Sequence, residues 1–163
     1  MLRLTLINKS DLLFVNEVRN DCAELYLHDS RKFTIEETVN WYMTTNPKFW
    51  IIWNEDVRIG YFRTSNHSIE DKTIYVGADI HKDYRGKGLG YKSYCKFLPC
   101  LFNYYDIESV LLEVLGTNKS AIALYEKLGF REIEVKKNDV LKNGVWVDSI
   151  VMSVDFDHLN LEA

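Results

Sequence analysis

The sequence predicts an α/β domain with a mixed central sheet of about seven strands flanked by about four helices. Three observations carry that expectation. Roughly four- to eight-residue runs of alternating or continuous apolar residues take turns with segments whose apolar residues recur at helical spacing. These segments follow the order β-α-α-β-β-β-α-β-α-β-β. Only two prolines and eight glycines punctuate 163 residues, with no low-complexity linker and no internal repeat, so residues 1–163 read as one domain.

Residues 2–7 alternate like a strand. Ser10-Asp11 caps a helix through about residue 19, with Leu12, Leu13, Val15 and Val18 as its apolar stripe. Thr34-Ile-Glu-Glu37 has the capping-box form, which starts a helix running to about Thr45. Phe49–Trp53 and Val57–Phe62 are strands around the turn Asn54-Glu-Asp56, so the pair reads as a hairpin. Thr73 to His81 is a further strand, and Gly77 within it suggests a bulge or a close backbone approach. A helix begins near Leu89, and Pro99 is expected to kink or end it. Ser109 to Leu115 is apolar on both faces, as a central strand is. Asn118 opens a helix carrying Ala121, Leu124, Tyr125 and Leu128, which Gly129 ends. Strands at about 130–141 and 145–156 flank Asn143-Gly144, a strong hairpin-turn signal.

Composition narrows function before any motif does. The chain has 20 Lys+Arg against 24 Asp+Glu, a formal net charge of -4, so a non-specific nucleic-acid role is disfavoured. No stretch approaches the roughly 20 apolar residues that span a bilayer, and the N-terminus lacks the pattern of a signal peptide. Cys22, Cys95 and Cys100 form no CxxC, and His28, His67, His81 and His158 stand at no ligand spacing from them. Reduced thiols in a cytoplasmic protein without a metal site are therefore expected.

Arg85-Gly-Lys-Gly-Leu-Gly90 lies between a strand and a helix. Glycines there let the backbone approach a ligand, and successive N–H groups at a helix N-terminus favour an anion. From Lys82 to Lys92 four basic side chains face Asp83 alone, a local net of +3. The spacing G-x-G-x-G is not the dinucleotide fingerprint, and no phosphate-binding G-x-x-x-x-G-K-[ST] occurs. Loops at 82–90 and 115–118 are the candidate sites.

Glu113 sits within Val110-Leu-Leu-Glu-Val-Leu115. A carboxylate on a covered strand needs a partner, or its pKa rises toward the range of a general base. A partner Lys or Arg, or a partly solvated strand, is the competing reading. Tyr125 is either core or a hydroxyl facing a cleft.

Together these residues resemble the GNAT superfamily of acetyl-CoA-dependent N-acetyltransferases. Tyr84-Arg-Gly-Lys-Gly-Leu-Gly90 is similar to the family's R/Q-x-x-G-x-G/A loop, and Asn118 to Phe130 to its N-x-x-A-x-x-L-Y-x-x-x-G-F signature. The strong match spans about residues 74–131. The Leu112-Glu-Val114 strand and Ala121-Ile-Ala-Leu-Tyr125 resemble the ribosomal-protein N-terminal acetyltransferases. Val18-Arg-Asn-Asp21, Thr34-Ile-Glu-Glu37, Trp41 and Ile59-Gly-Tyr-Phe-Arg63 look more like the amino-sugar-nucleotide acetyltransferases.

The resemblance implies a GNAT fold with acetyl-CoA as co-substrate. Arg85, Gly86, Lys87, Gly88, Leu89 and Gly90 would hold its pyrophosphate, and Ala78, Asp79, Ile80 and His81 would pair with its pantetheine arm. An N–H near Ile80 would polarise the thioester carbonyl, and Asn118 would lie near the thioester. Tyr125 would be the general acid and Glu113 the general base, with Asp79, His81 or Glu24 as alternative bases. An alkyl amine with pKa about 10 is mostly ammonium at neutral pH, so a base must act before attack. The implied partner is a small-molecule primary amine, an amino sugar nucleotide being one candidate, with no nucleic-acid or membrane role; a homodimer is held open. Protein N-terminal or lysine acetylation, and a non-catalytic acyl-CoA-binding module, are the alternatives.

Overall fold

The computed structural model describes residues 1–162. Its elements follow the expected order: β1 (Leu2–Leu6), α1 (Leu12–Ala23), α2 (Ile35–Thr45), β2 (Phe49–Asn54), β3 (Val57–Ser68), β4 (Thr73–Ile80), α3 (Leu89–Tyr104), β5 (Ser109–Leu115), α4 (Lys119–Leu128), β6 (Arg131–Lys142) and β7 (Val145–Asp155). The strands hydrogen-bond in the order β1-β2-β3-β4-β5-β7-β6. The sheet is mixed: β4 runs parallel to β5, while β1–β2, β2–β3, β5–β7 and β6–β7 are antiparallel.

Two compact units divide the chain. The first comprises residues 1–64 and 77–90. Its core is Ile7, Leu12, Val15, Val18, Cys22, Ile51 and Tyr61. Trp41 and Phe49 meet edge to face at 5.0 Å, and Phe49 stacks on Tyr61 at 5.3 Å. Two capping boxes start the helices here. Thr34 Oγ1 accepts from Glu37 N–H, and Glu37 Oε1 accepts from Thr34 N–H, both at 3.1 Å. The other box is not the expected Ser10-Asp11 start. Asn8 caps a short 3-10 turn, with Asp11 accepting from Asn8 N–H at 2.9 Å, and α1 then runs on to Ala23 because Val18, Cys22 and Ala23 are all buried. Asp11 is itself almost fully buried and paired with Arg58 at 2.9 Å.

The second unit comprises residues 65–76 and 91–162 of the described chain. Its buried residues come from α3 (Tyr94, Phe97, Leu98, Leu101), β5 (Val110, Leu112, Val114) and β7 (Val151, Met152, Val154). Pro99 does not end its helix: α3 continues to Tyr104. A proline inside a helix costs about 3 kcal/mol, but Phe97, Leu98 and Leu101 bury one continuous face across it. Asn143 and Gly144 take φ of 50° and 79°, the left-handed pair of a two-residue hairpin turn. Gly129 ends α4 at φ 105°, and a Cβ there would sit 2.2 Å from the His158 carbonyl oxygen. Asn160 N–H donates to Leu128 O at 2.9 Å, so the chain after β7 straps the end of α4.

Candidate functional site

The predicted residues fall in both units. Ala78 to His81 and Arg85 to Gly90 belong to the first, and Glu113, Asn118 and Tyr125 to the second.

In the first unit, β4 delivers the chain to the glycine loop. His81 Nδ1 accepts from Asp83 N–H at 3.1 Å and Tyr84 N–H donates to His81 O at 2.9 Å, closing a single 3-10 turn at Lys82–Tyr84. Arg85 then turns inward. Its Nε donates to Ile80 O at 2.8 Å, and its Nη2 reaches Asp21 at 2.9 Å and Cys22 Sγ at 3.1 Å. The guanidinium is a strut between the loop and α1, so what the loop offers at Arg85 is backbone.

Beyond the strut, Gly86 and Gly88 take φ of +74° and +75°, and a Cβ on either would meet nothing within 4 Å. Both glycines and Lys87 are exposed, and α3 begins at the next residue. Left-handed residues alternating with ordinary ones turn successive N–H groups to one side, which makes an anion-binding concavity. The register of β4 with β5 runs Thr73–Tyr75 against Ser109–Leu111, and Ala78, Asp79 and Ile80 lie past its last pair.

Asp79 is 4% exposed. Arg63 holds it side-on, with Nε 3.1 Å from Oδ2 and Nη2 3.2 Å from Oδ1. Burial, and then the Asp79 charge, push the Tyr61 hydroxyl well above its ordinary pKa. Burial and the same charge raise the Cys22 thiol to about 11, against the opposing pull of Arg85. Gly77 marks a close approach, as its position suggested, but by a side chain: a Cβ there would lie 2.6 Å from Arg63 Nη2.

The first unit also encloses a cavity of about 430 Å³ between α1, α2, β2 and β3. Phe33, Trp41, Phe49 and Tyr61 supply aromatic wall, and Asn16, Arg19, Glu37, Thr38, Asn40 and Arg63 supply polar groups. Its rim is fixed from α1. Asn16 Nδ2 donates to Phe33 O (2.8 Å) and Thr38 Oγ1 (2.9 Å), while Asn20 both donates to Phe33 O and accepts from Phe33 N–H. Arg19 lies 4.3 Å over the Phe33 ring and donates to Arg31 O at 2.6 Å. Sequence reasoning assigned no role to Asn16 or Thr38. Arg19, Glu37, Trp41, Tyr61 and Arg63 all fall within the segments that resembled the sugar-nucleotide group, which is the one signal that pointed here.

In the second unit, Glu113 is partly solvated and paired. Its side chain keeps 27% exposure, and Lys136 Nζ lies 2.9 Å from Oε1. The partnered reading of this residue is therefore the observed one. The hydrogen bond to Glu113 holds the Lys136 ammonium above its ordinary pKa. The loop at 115–118 is tied by Gly116 N–H to Asp148 O at 2.8 Å. Asn118 caps α4, its Oδ1 accepting from Ala121 N–H at 3.4 Å. Tyr125 is half-buried, edge to face with Tyr94 at 5.7 Å and 5.9 Å from the Phe130 ring. Among the described residues no helix is long and apolar enough to cross a membrane.

Comparison with known proteins bears on the family and the fold. The model of the acetyltransferase (GNAT) family matches residues 14–130. A mycothiol acetyltransferase of Corynebacterium efficiens is 35% identical over 106 residues, covering 65% of this chain and 34% of that protein. The chain thus spans about a third of that relative's length. The ribosomal protein bS18-alanine N-acetyltransferase of Escherichia coli is 27% identical over 119 residues, covering 73% and 72% of the two chains. Among solved structures, the spermidine N-acetyltransferase from Vibrio cholerae in complex with CoA and spermine superimposes with a TM-score of 0.89 at 20% identity, covering 96% of each chain. That likeness bears on the fold.

Proposed function

The chain belongs to the GNAT acetyltransferase family, and on that premise we propose that it transfers an acetyl group from acetyl-CoA to the primary amine of a small molecule. The observation that carries the reading is the exposed loop at Gly86 and Gly88, left-handed at two alternate residues and open where Cβ atoms would stand. Residues 1–163 are read as one acetyltransferase domain, and the family match, which draws on both compact units, supports that.

The residues present fit the co-substrate. The N–H groups of 86–90 are suited to its pyrophosphate, with the +3 stretch of Lys82 to Lys92 lowering the cost of holding a polyanion in an acidic protein. The backbone of Ala78 to His81 is assigned to the pantetheine arm, and Asn118 to the thioester end. Acetyl-CoA supplies an activated acetyl thioester; the protein's own groups move the protons. Glu113 accepts the proton of the acceptor amine at a carboxylate oxygen, directly or through water, with Lys136 Nζ 2.9 Å from its Oε1. Tyr125 delivers the phenolic proton to the departing thiolate. Holding both substrates in line supplies much of the rate, and no covalent enzyme adduct is required.

An amino sugar nucleotide is the named acceptor that the first-half resemblance favours. The proposal includes a cytoplasmic location and a homodimeric assembly, which sedimentation of the purified chain tests. Free thiol released from acetyl-CoA is the assay, over an amine panel that includes amino sugar nucleotides and an alanine-terminated peptide. Turnover of a small amine is expected, with kcat reduced about 10²-fold or more in Tyr125→Phe. Unchanged turnover in that variant would remove Tyr125 from the acid role. Turnover confined to the peptide would move the acceptor to protein N-termini. Tight CoA binding without turnover would favour a non-catalytic module.

A further inference from the structure

The cavity in the first unit carries more charge than an apolar amine needs. Of its lining residues Arg19 and Arg63 are cationic and Glu37 alone is anionic. Glu37 is already engaged, its Oε1 accepting from Thr34 N–H in the capping box. A cationic polyamine entering here would meet two guanidiniums and one committed carboxylate.

Arg63 is built in rather than loosely placed. Asp79 holds its Nε and Nη2 from the buried side, and the guanidinium lies over Gly77, where any Cβ would strike it at 2.6–2.7 Å. Asp79 is almost wholly buried and is not part of the cavity wall. Its charge fixes and orients the arginine from behind. Arg19 enters the same cavity from α1, anchored by its bond to Arg31 O and its packing on Phe33. Two arginines whose positions are set by their neighbours lose little side-chain freedom on binding, and guanidinium matches the planar oxygens of a carboxylate or phosphate. Beside the polar groups of Asn16, Thr38 and Asn40, the wall has an aromatic part, Phe33, Trp41, Phe49 and Tyr61, suited to an apolar or planar body.

We propose that the acceptor carries an oxyanion, carboxylate or phosphate, which Arg63 and Arg19 hold while its apolar body lies against Trp41 and Phe49. This rests on the acetyltransferase reading for the role of the site, but the binding itself is separable. Arg63 and Arg19 are the specificity-determining residues. Asp79 and Gly77 are positioning residues, acting through Arg63.

Two experiments on the full chain test it. Calorimetry with phenylacetate and its uncharged counterpart phenylethanol, neither of which can be acetylated on nitrogen, reads the oxyanion alone. Phenylacetate is expected to bind about ten- to a hundredfold tighter. Arg63→Lys keeps a partner for Asp79 and should fold, yet lose most of that margin. Gly77→Ala keeps every charge but displaces the guanidinium, and should lose it too. Equal binding of the two ligands, or a margin untouched in both variants, would overturn the proposal. Thiol release with phenylalanine against phenylalaninol, and phosphoethanolamine against ethanolamine, then identifies which oxyanion is used. The anionic member of one pair should lead by a similar factor in kcat/KM, mostly through KM. Turnover with spermidine leading both pairs would refute the oxyanion while leaving acetyl transfer intact. A phenylacetate margin with no amine turned over would sustain the site and refute the transfer reading.

Discussion

Gly86, Gly88 and Gly144 allow a controlled test of the loop. All three are left-handed, at φ +74°, +75° and +79°, and a Cβ on any of them would meet nothing within 4 Å. Replacing each by alanine therefore imposes the same backbone penalty and no clash. That penalty is about 1 kcal/mol, the cost of placing an L side chain in the left-handed region. For a chain of this size it lowers the melting temperature by about 3 °C in each variant. The three differ in place alone: Gly144 lies in the β6–β7 turn, whereas Gly86 and Gly88 form the loop assigned to the pyrophosphate. A methyl in the space an anion must enter also displaces the charge-assisted bonds from backbone N–H groups, worth about 1.5–3 kcal/mol. The KM for acetyl-CoA should rise about ten- to a hundredfold in Gly86→Ala and Gly88→Ala and stay unchanged in Gly144→Ala. Thermal melts and initial rates on the same preparations give both quantities. If all three variants shifted KM equally, or none did, the loop would not be the cofactor site.

Three further outcomes follow from the packing. Thr34→Ala removes one half of the α2 capping box and should cost about 1 kcal/mol in urea unfolding. Asp11→Ala strands Arg58 and leaves the Asn8 N–H without its acceptor, so a loss of about 2 kcal/mol is expected, with no change in KM for acetyl-CoA. Cys22 titrates at about 11 in the fold against 9.0 when unperturbed, so the folded protein favours the neutral thiol. That contribution is complete below pH 9 and is lost as pH rises through 11, on the order of 2 kcal/mol. Urea midpoints measured between pH 8 and 11 should fall less steeply in Cys22→Ala than in the parent chain. In the parent at pH 8, alkylation should reach exposed Cys100 and spare Cys22.

The element order was legible because local signals agreed with tertiary burial. Thr34-x-x-Glu37 starts a helix whatever surrounds it, and Asn143-Gly144 reverses the chain by backbone preference alone. Pro99 was misleading for the opposite reason: its local penalty is outweighed by a buried face that continues to Leu101, and burial is a property of partners distant in sequence. The glycine loop was legible as a motif, but the inward turn of Arg85 was not, because Asp21 stands 64 residues away in the chain. Glu113 shows the same limit. Its strand pattern suggested a buried carboxylate, yet Lys136 answers it from β6. The cavity was the least legible feature. It is assembled from residues 15 to 63 with no common spacing, and Gly77, noticed as an oddity in a strand, proves to be the space that Arg63 occupies.

The most direct measurement of the central claim is the mass of the acceptor itself. The purified chain is incubated with acetyl-CoA and a desalted metabolite extract, and small molecules that gain one acetyl group are identified by mass spectrometry. The account predicts at least one primary amine acetylated in proportion to free thiol released, with the signal much reduced in Tyr125→Phe. Acetyl-CoA bound by the protein and recovered intact, with no acetylated amine formed, would contradict it.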